Sequence, residues 1–324
     1  MIENIEQQLM GPAQKLLTLL RDDDITDILI NGVHGCFIEK KGFLMGHPNP
    51  FDTPQALFHF IERVVIPTGK RIDAAAPFLD GRLLDGSRFN IVMPPLALEG
   101  PLVSIRKKRL GKSVGPEVFG SPEQVEWLRG QVRLKKNILI SGGTGTGKTT
   151  LLSGLLSEMP ISERIVVIEE VSEISASHPH LIHLEARPAS PEGRGEVTLR
   201  TLVQTALRIR PDRLIVGECR AGEAFDMLQA MNTGHQGALG TLHANSALDA
   251  LRRFEALAML AGLQIPLKVI REWIGAHVNG VVHLEKINGK RCISEVLTVS
   301  GLEGDVYRVL PRFEKEQALR HRLG

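Results

Sequence analysis

Residues 142–149 read Gly142-Gly143-Thr144-Gly145-Thr146-Gly147-Lys148-Thr149, a full match to G-x-x-x-x-G-K-[ST]. No other feature of the chain restricts its fold as much. Such a loop works only between a strand and a helix. Glycines let the backbone curl so that successive N–H groups point inward at phosphate oxygens, and the helix that follows adds its positive pole. The flanks comply: Asn137–Ile140 is a short apolar run, and Thr149–Glu158 has helical period. With average residue usage the pattern arises by chance in about 1% of chains this long, before the flanks are considered. The motif nominates Gly143, Thr144, Gly145, Thr146, Gly147, Lys148, Thr149 and Thr150 as nucleotide ligands. Lys148 is placed to reach the β- and γ-phosphates, and the Thr149 hydroxyl to sit on Mg²⁺, so ATP and Mg²⁺ are the implied substrate and cofactor.

The rest of the second half keeps the rhythm the loop demands. Strand candidates Arg164–Ile168, Leu181–Leu184, Arg213–Val216 and Ala238–Leu242 alternate with helical patterns at Leu199–Arg208 and Ala221–Asn232. Apolar strands separated by helices predict a mainly parallel α/β sheet. Val278–Glu285 and Cys292–Val299 flank Asn288-Gly289, a hairpin signal, and Arg312–Gly324 reads as a charged tail.

The first half differs. Ile5, Leu9, Leu16, Leu17 and Leu20 recur at helical spacing, short apolar runs follow at Asp27–Ile30, Cys36–Glu39 and Phe43–Met45, and Pro54 opens a helix through Val65. A hairpin with Asp85-Gly86 at its turn runs from Arg82 to Val92, and Val103–Arg106 adds a strand. The basic, Gly- and Pro-punctuated stretch Lys107–Pro116 lacks an apolar period. The division is therefore a smaller α+β N-terminal domain at 1–110, a linker at 111–117 and a nucleotide domain at 118–324.

Composition narrows the function. Of 324 residues 43% are hydrophobic and 23% charged, which excludes wholesale disorder; Lys+Arg 39 against Asp+Glu 37 leaves +2, too near neutrality for a polyanion coat. Arg106, Lys107, Lys108, Arg109 and Lys112 form a basic run, but no aromatic residue interleaves with it for base stacking, so no direct nucleic-acid binding is expected. Three scattered cysteines make neither a disulfide framework nor a metal site, and no apolar run nears the ~20 residues of a membrane span. With no signal-peptide pattern at the start, the expectation is a soluble intracellular protein.

Two strands deliver carboxylates. Asp212–Glu218 is an apolar strand ending in Glu218, which suits the Mg²⁺ side, directly or through a water. Ile165–Glu173 brings Glu169, Glu170 and Glu173 to the sheet's carboxyl edge, where one can orient or deprotonate the attacking water. His178, His180 and His183 cluster without a matching ligand set and read as surface residues. His235 and His243 lie at element ends, where hydrogen bonding and phosphate sensing are equally open.

The run Arg208–Arg220, with Ala230–His235 and Gly240–Ser246, resembles the secretion ATPase superfamily that powers type II secretion, type IV pili and type IV secretion. Asp85–Asn90, Pro94-Pro95 and Gly100–Lys107 resemble its CpaF-like branch of tight-adherence (Tad, Flp-type) pili. The resemblance spans roughly Leu20–Leu297. It implies a RecA-like ATPase domain, with Glu218 as the Walker B glutamate and Glu173 as general base in an acidic box where Glu170 replaces the usual Asp. It also implies a histidine box of His235 and His243, Arg88 and Arg106 as N-terminal-domain arginines that reach nucleotide, and a homo-hexamer. The partner implied is an inner-membrane platform protein, with the ATPase cytoplasmic and peripheral. A type IV secretion ATPase exporting protein or DNA is the alternative, and a RecA-like nucleic-acid motor the rival from another class.

Overall fold

The computed structural model describes residues 13–108, 114–189 and 193–313, in two compact units, Met1–Leu110 and Gly111–Gly324. In the first, α1 (Gln14–Arg21) precedes a meander of β1 (Ile25–Asn31), β2 (Gly35–Lys40) and β3 (Phe43–His47). Next come α2 (Pro54–Val65), β4 (Phe78–Arg82), β5 (Arg88–Val92) and β6 (Leu102–Arg106). Helix α2 starts where the sequence says it should: Thr53 Oγ1 accepts from Ala56 N at 3.2 Å, and Pro54 needs no partner in the first turn. The six strands form an antiparallel sheet in the order β3-β2-β1-β6-β5-β4. Alternation decides its faces: Ile28, Ile30, Ile38, Phe89, Ile91, Val103 and Ile105 are buried in one cluster with Leu16 and Leu20 of α1 and Leu57, Phe60 and Ile61 of α2. Of the expected N-terminal helix, Ile5 and Leu9 lie outside the described residues.

The second unit opens with α3 (Pro122–Arg133), closed at its start by a capping box between Ser121 and Gln124. Then follow β7 (Ile138–Gly142), α4 (Lys148–Leu156), β8 (Ile165–Glu169), β9 (Leu181–Glu185), α5 (Leu199–Ala206) and β10 (Arg213–Val216). The chain continues through α6 (Glu223–Asn232), β11 (Leu239–Leu242), α7 (Ala247–Met259), α8 (Leu267–His277), β12 (Gly280–Ile287), β13 (Lys290–Glu303) and β14 (Val306–Phe313). The sheet order is β14-β13-β12-β7-β11-β10-β8-β9; neighbours from β12 to β9 pair in parallel, while β13 and β14 add antiparallel.

Strand β7 is buried on both faces, and successive side chains feed different layers. Ile138 and Ile140 join Leu128, Leu151 and Leu155 of α3 and α4. Leu139 joins Val203, Leu228, Leu251, Phe254 and Ile274 from α5 to α8. The three-layer arrangement leaves the carboxyl ends of the parallel strands as the place where loops collect.

Two expectations need correction. Arg312 and Phe313 end a paired strand, since Pro311 faces Leu297 and Phe313 faces Val296; residues 314–324 of the expected tail lie outside the described residues. The stretch read as a linker also has structure at its far end. Residues Pro116–Val118 form a 3-10 turn, and a Cβ on Gly154 would meet Val114 O at 2.5 Å, so this segment lies directly on α4. The Asn288-Gly289 hairpin is present, with both residues at positive φ (49° and 79°) as a type I′ turn requires.

Candidate nucleotide site

The loop between β7 and α4 has the curl that its glycines permit. Gly147 opens α4 at φ +96°, and a Cβ there would meet the Phe119 ring at 2.7 Å. Gly142 at φ +150° is equally committed, because a Cβ would strike Leu284 O at 2.5 Å. Thr146 Oγ1 donates to Gly143 O at 2.9 Å and pins the turn from inside, while Gly143, Thr144 and Gly145 are exposed. Lys148 is 8% exposed and folds back onto the loop, its Nζ donating to Gly142 O at 2.9 Å and Gly143 O at 3.0 Å. Burial pushes its pKa below the ordinary lysine value, against the pull of Glu218. Thr149 and Thr150 stand half-buried in the first turn of α4.

Glu218 follows β10 by two residues and is steered by its neighbours. Gly217 N donates to Ile168 O at 2.8 Å, Thr241 Oγ1 to Gly217 O at 2.6 Å and Cys219 N to Thr241 O at 2.7 Å. His243, just past β11, places Nδ1 3.5 Å from Lys148 Nζ and Nε2 2.9 Å from Glu218 Oε1. The second contact is an ion-pair distance without hydrogen-bond alignment, so Glu218 Oε1 remains a buried acceptor with no hydrogen bond. Burial and Lys148 lower the His243 pKa below its ordinary 6.5, against Glu218. Lys148, Glu218 and His243 thus stand together at the carboxyl edge.

The acidic segment divides its labour. Glu169 is buried, and its Oε1 accepts from Glu173 N and Ile174 N, both at 2.9 Å, so it shapes the turn that carries Glu173. Gly217 leaves room for it, since a Cβ there would stand 2.7 Å from Glu169 Cγ. Glu170 and Glu173 are exposed. Sequence reasoning missed Arg220, which bridges the two acidic strand ends: Nη2 donates to Glu218 Oε2 at 2.8 Å and Nη1 to Glu170 Oε2. The Glu218 bond holds its pKa above the ordinary arginine value. Arg253 of α7 was missed as well; it lines a cleft of about 370 Å³ with Glu218, Cys219, Arg220 and His243. Neither residue carries a sequence signal: Arg220 meets Glu170 only because β8 and β10 are neighbours, and Arg253 sits within helix α7.

Other nominated residues lie elsewhere. His235 precedes β11, and β11 runs parallel to β7, so His235 belongs to the amino edge of the sheet, where Ala238 N donates to Asn137 Oδ1 at 2.9 Å. The phosphate loop is at the opposite edge. In the first unit Arg82, Arg88 and Arg106 stand opposite one another across β4, β5 and β6, and Arg106 Nε donates to Asp27 Oδ1 at 2.9 Å. His178 and His180 turn to Pro160 O (3.0 Å) and the Arg164 guanidinium (2.8 Å), and His183 Nδ1 lies 3.7 Å from Glu169 Oε2.

A Mg²⁺ ion fits the donors present, because Glu218 Oε1 is a buried oxygen that accepts no hydrogen bond and Thr149 carries its hydroxyl in the first turn of the adjacent helix. Against this geometry, residues 12–308 match the family described as Type II/IV secretion system protein. The chain belongs to that family. A Mycobacterium tuberculosis protein ascribed to conjugal transfer is 35% identical over 316 residues, 94% of this chain and 89% of the relative. The type IV secretion system protein VirB11 of Brucella suis is 30% identical over 299 residues, 82% of each chain. The X-ray structure of the Legionella pneumophila ATPase DotB superposes with a TM-score of 0.65 at 20% identity, over 89% of this chain and 81% of that one, a likeness of fold.

Proposed function

We propose that this family member is a Mg²⁺-dependent ATPase that works in a homo-hexameric ring to power pilus assembly or secretion. Its RecA-like nucleotide domain would be residues 118–324 and its N-terminal domain residues 1–110, with nucleotide-driven motion between them. The observation that carries the reading is the convergence of Lys148, Glu218, His243 and Arg220 on one phosphate loop.

The chemistry is phosphoryl transfer to water, where positioning and charge neutralisation do most of the work. The loop amides of residues 143–148 hold the phosphate chain. Lys148 exchanges two loop carbonyls for phosphate oxygens, a favourable trade for a cation kept in a desolvated place. Thr149 and Glu218 would hold the metal, which would neutralise phosphate charge. Glu173 takes the proton of the attacking water, its backbone set by Glu169. His243 stands beside Lys148 where the terminal phosphate arrives and couples it to Glu218. The resemblance assigns Arg88 and Arg106 of the first domain a role towards nucleotide, and His235 would serve as the outer member of the histidine box, away from the phosphates.

Among the described residues no helix is long and apolar enough to cross a membrane. The reading places the protein in the cytoplasm, held peripherally at the inner membrane by a platform protein, with no direct binding of nucleic acid. The N-terminal motifs Asp85–Asn90 and Gly100–Lys107 support the CpaF-like, tight-adherence branch. A type IV secretion role exporting protein or DNA is the second reading, favoured by the relatives named for conjugal transfer and VirB11; co-purification of the membrane partner separates the two. The test of the shared core is Lys148→Ala, which should abolish ATP turnover while the circular dichroism spectrum stays that of the parent. Turnover at the parent rate would refute the assignment.

A further inference from the structure

The residues that the nucleotide reading sets beside the terminal phosphate come from one side of β7: His243 follows β11 and Glu218 follows β10. On the other side of β7 lies β12. A phosphate chain whose last group meets Lys148, His243 and Glu218 must therefore leave the loop towards β12. That strand does not stop where β7 stops. Leu284 pairs with Gly142, the last residue of β7, and Glu285–Ile287 run on past it before the turn into β13.

Register decides which side chains of this overhang face the loop. Leu284 lies opposite Ile293, and both pack in the layer with Phe119 and Leu151 of α4. Two residues further out, Arg291 lies opposite Lys286 and shares that face. The contact bears this out, since a Cβ on Gly147 would come within 3.0 Å of Arg291 Cδ. The stem of Arg291 thus crosses the last glycine of the phosphate loop at the start of α4. Its strand is held there, with Ile293 N donating to Phe119 O at 2.7 Å.

We infer that Arg291 is the cation for the α-phosphate of a bound nucleoside di- or triphosphate, on the side of the loop opposite the metal and the carboxylates. A planar guanidinium carried on that stem can match phosphate oxygens bidentately. The inference rests on the nucleotide reading above and adds a subsite to it.

The test compares ADP with inorganic pyrophosphate, which the loop amides and Lys148 can hold without reaching the overhang. Arg291→Met keeps the stem across Gly147 and removes the charge; Arg291→Lys keeps a charge. Calorimetric titration of the full chain should show Arg291→Met weakening ADP roughly ten- to hundredfold, the worth of one charged contact to phosphate, with pyrophosphate unchanged. Arg291→Lys should recover most of the loss. Equal weakening of both ligands would mean that Arg291 only props the loop, and no weakening of either would mean no contact; each overturns the inference. A parent protein that binds neither ligand would instead overturn the nucleotide reading itself.

Discussion

Glu163→Gln should cost the second unit about 3 kcal/mol, although Glu163 lies at the sheet edge opposite the phosphate loop. Its carboxylate is the counter-charge of Arg213, whose side chain is 0% exposed and whose Nε donates to Glu163 Oε2 at 2.6 Å. The other guanidinium nitrogens, Nη1 and Nη2, are buried without a hydrogen-bond partner, and Lys135 Nζ stands 3.0 Å from Glu163 Oε1. Removing the charge leaves a buried cation uncompensated, which costs about 3–5 kcal/mol; glutamine keeps an acceptor for Nε and belongs at the low end. Glu163→Met with Arg213→Met removes both charges and should recover all but about 1 kcal/mol. Burial pushes the Glu163 carboxyl up, but Arg213 and Lys135 outweigh it and hold the pKa below the ordinary 4.5. A lowered carboxyl pKa contributes stability above 4.5 that is lost as pH falls through the lower, folded value, so the gap between parent and Glu163→Gln should narrow below pH 4.5. Both tryptophans, Trp127 and Trp273, lie in the second unit, so urea unfolding followed by their fluorescence reports this unit alone. A loss under about 1 kcal/mol, or a gap that ignores pH, would refute the argument.

Gly147→Ala forces a side chain onto φ +96° and into the Phe119 ring, so it should destabilise the unit by about 2 kcal/mol or more and remove ADP binding, read by the same fluorescence and by titration. Ser121→Ala opens the capping box of α3 and should cost about 1 kcal/mol with turnover unchanged. Arg220→Ala should do the reverse. Its side chain is 56% exposed, so stability should move by less than about 0.5 kcal/mol, while turnover falls roughly tenfold or more as Glu170 and Glu218 lose their bridge. Unchanged steady-state turnover would make that bridge incidental.

The parts of the fold that the sequence announces are those whose signal is local. Gly142–Thr149 marks its own strand and helix, Pro54–Val65 its cap and length, and Asn288-Gly289 its turn. Helices α3, α7 and α8 escaped because no chemical motif drew attention to them, although Ser121 and Ser246 are ordinary N-caps. Strand β14 was hidden by its charges: Arg308 and Arg312 sit on an edge strand, where one side stays wet. In the site, Lys148, Thr149 and Glu218 follow from motif spacing, whereas Arg220 joins Glu218 to a carboxylate 50 residues earlier, a pairing visible only once β8 and β10 lie side by side. His235 shows the converse, since only the family resemblance set it with the phosphates and the parallel topology sends it to the far edge.

ATP turnover per protomer, measured against protein concentration with light scattering on the same samples, tests the account most directly. A ring ATPase whose sites are completed between subunits predicts turnover that rises cooperatively as a hexamer forms. Constant specific turnover by a monomer would contradict it.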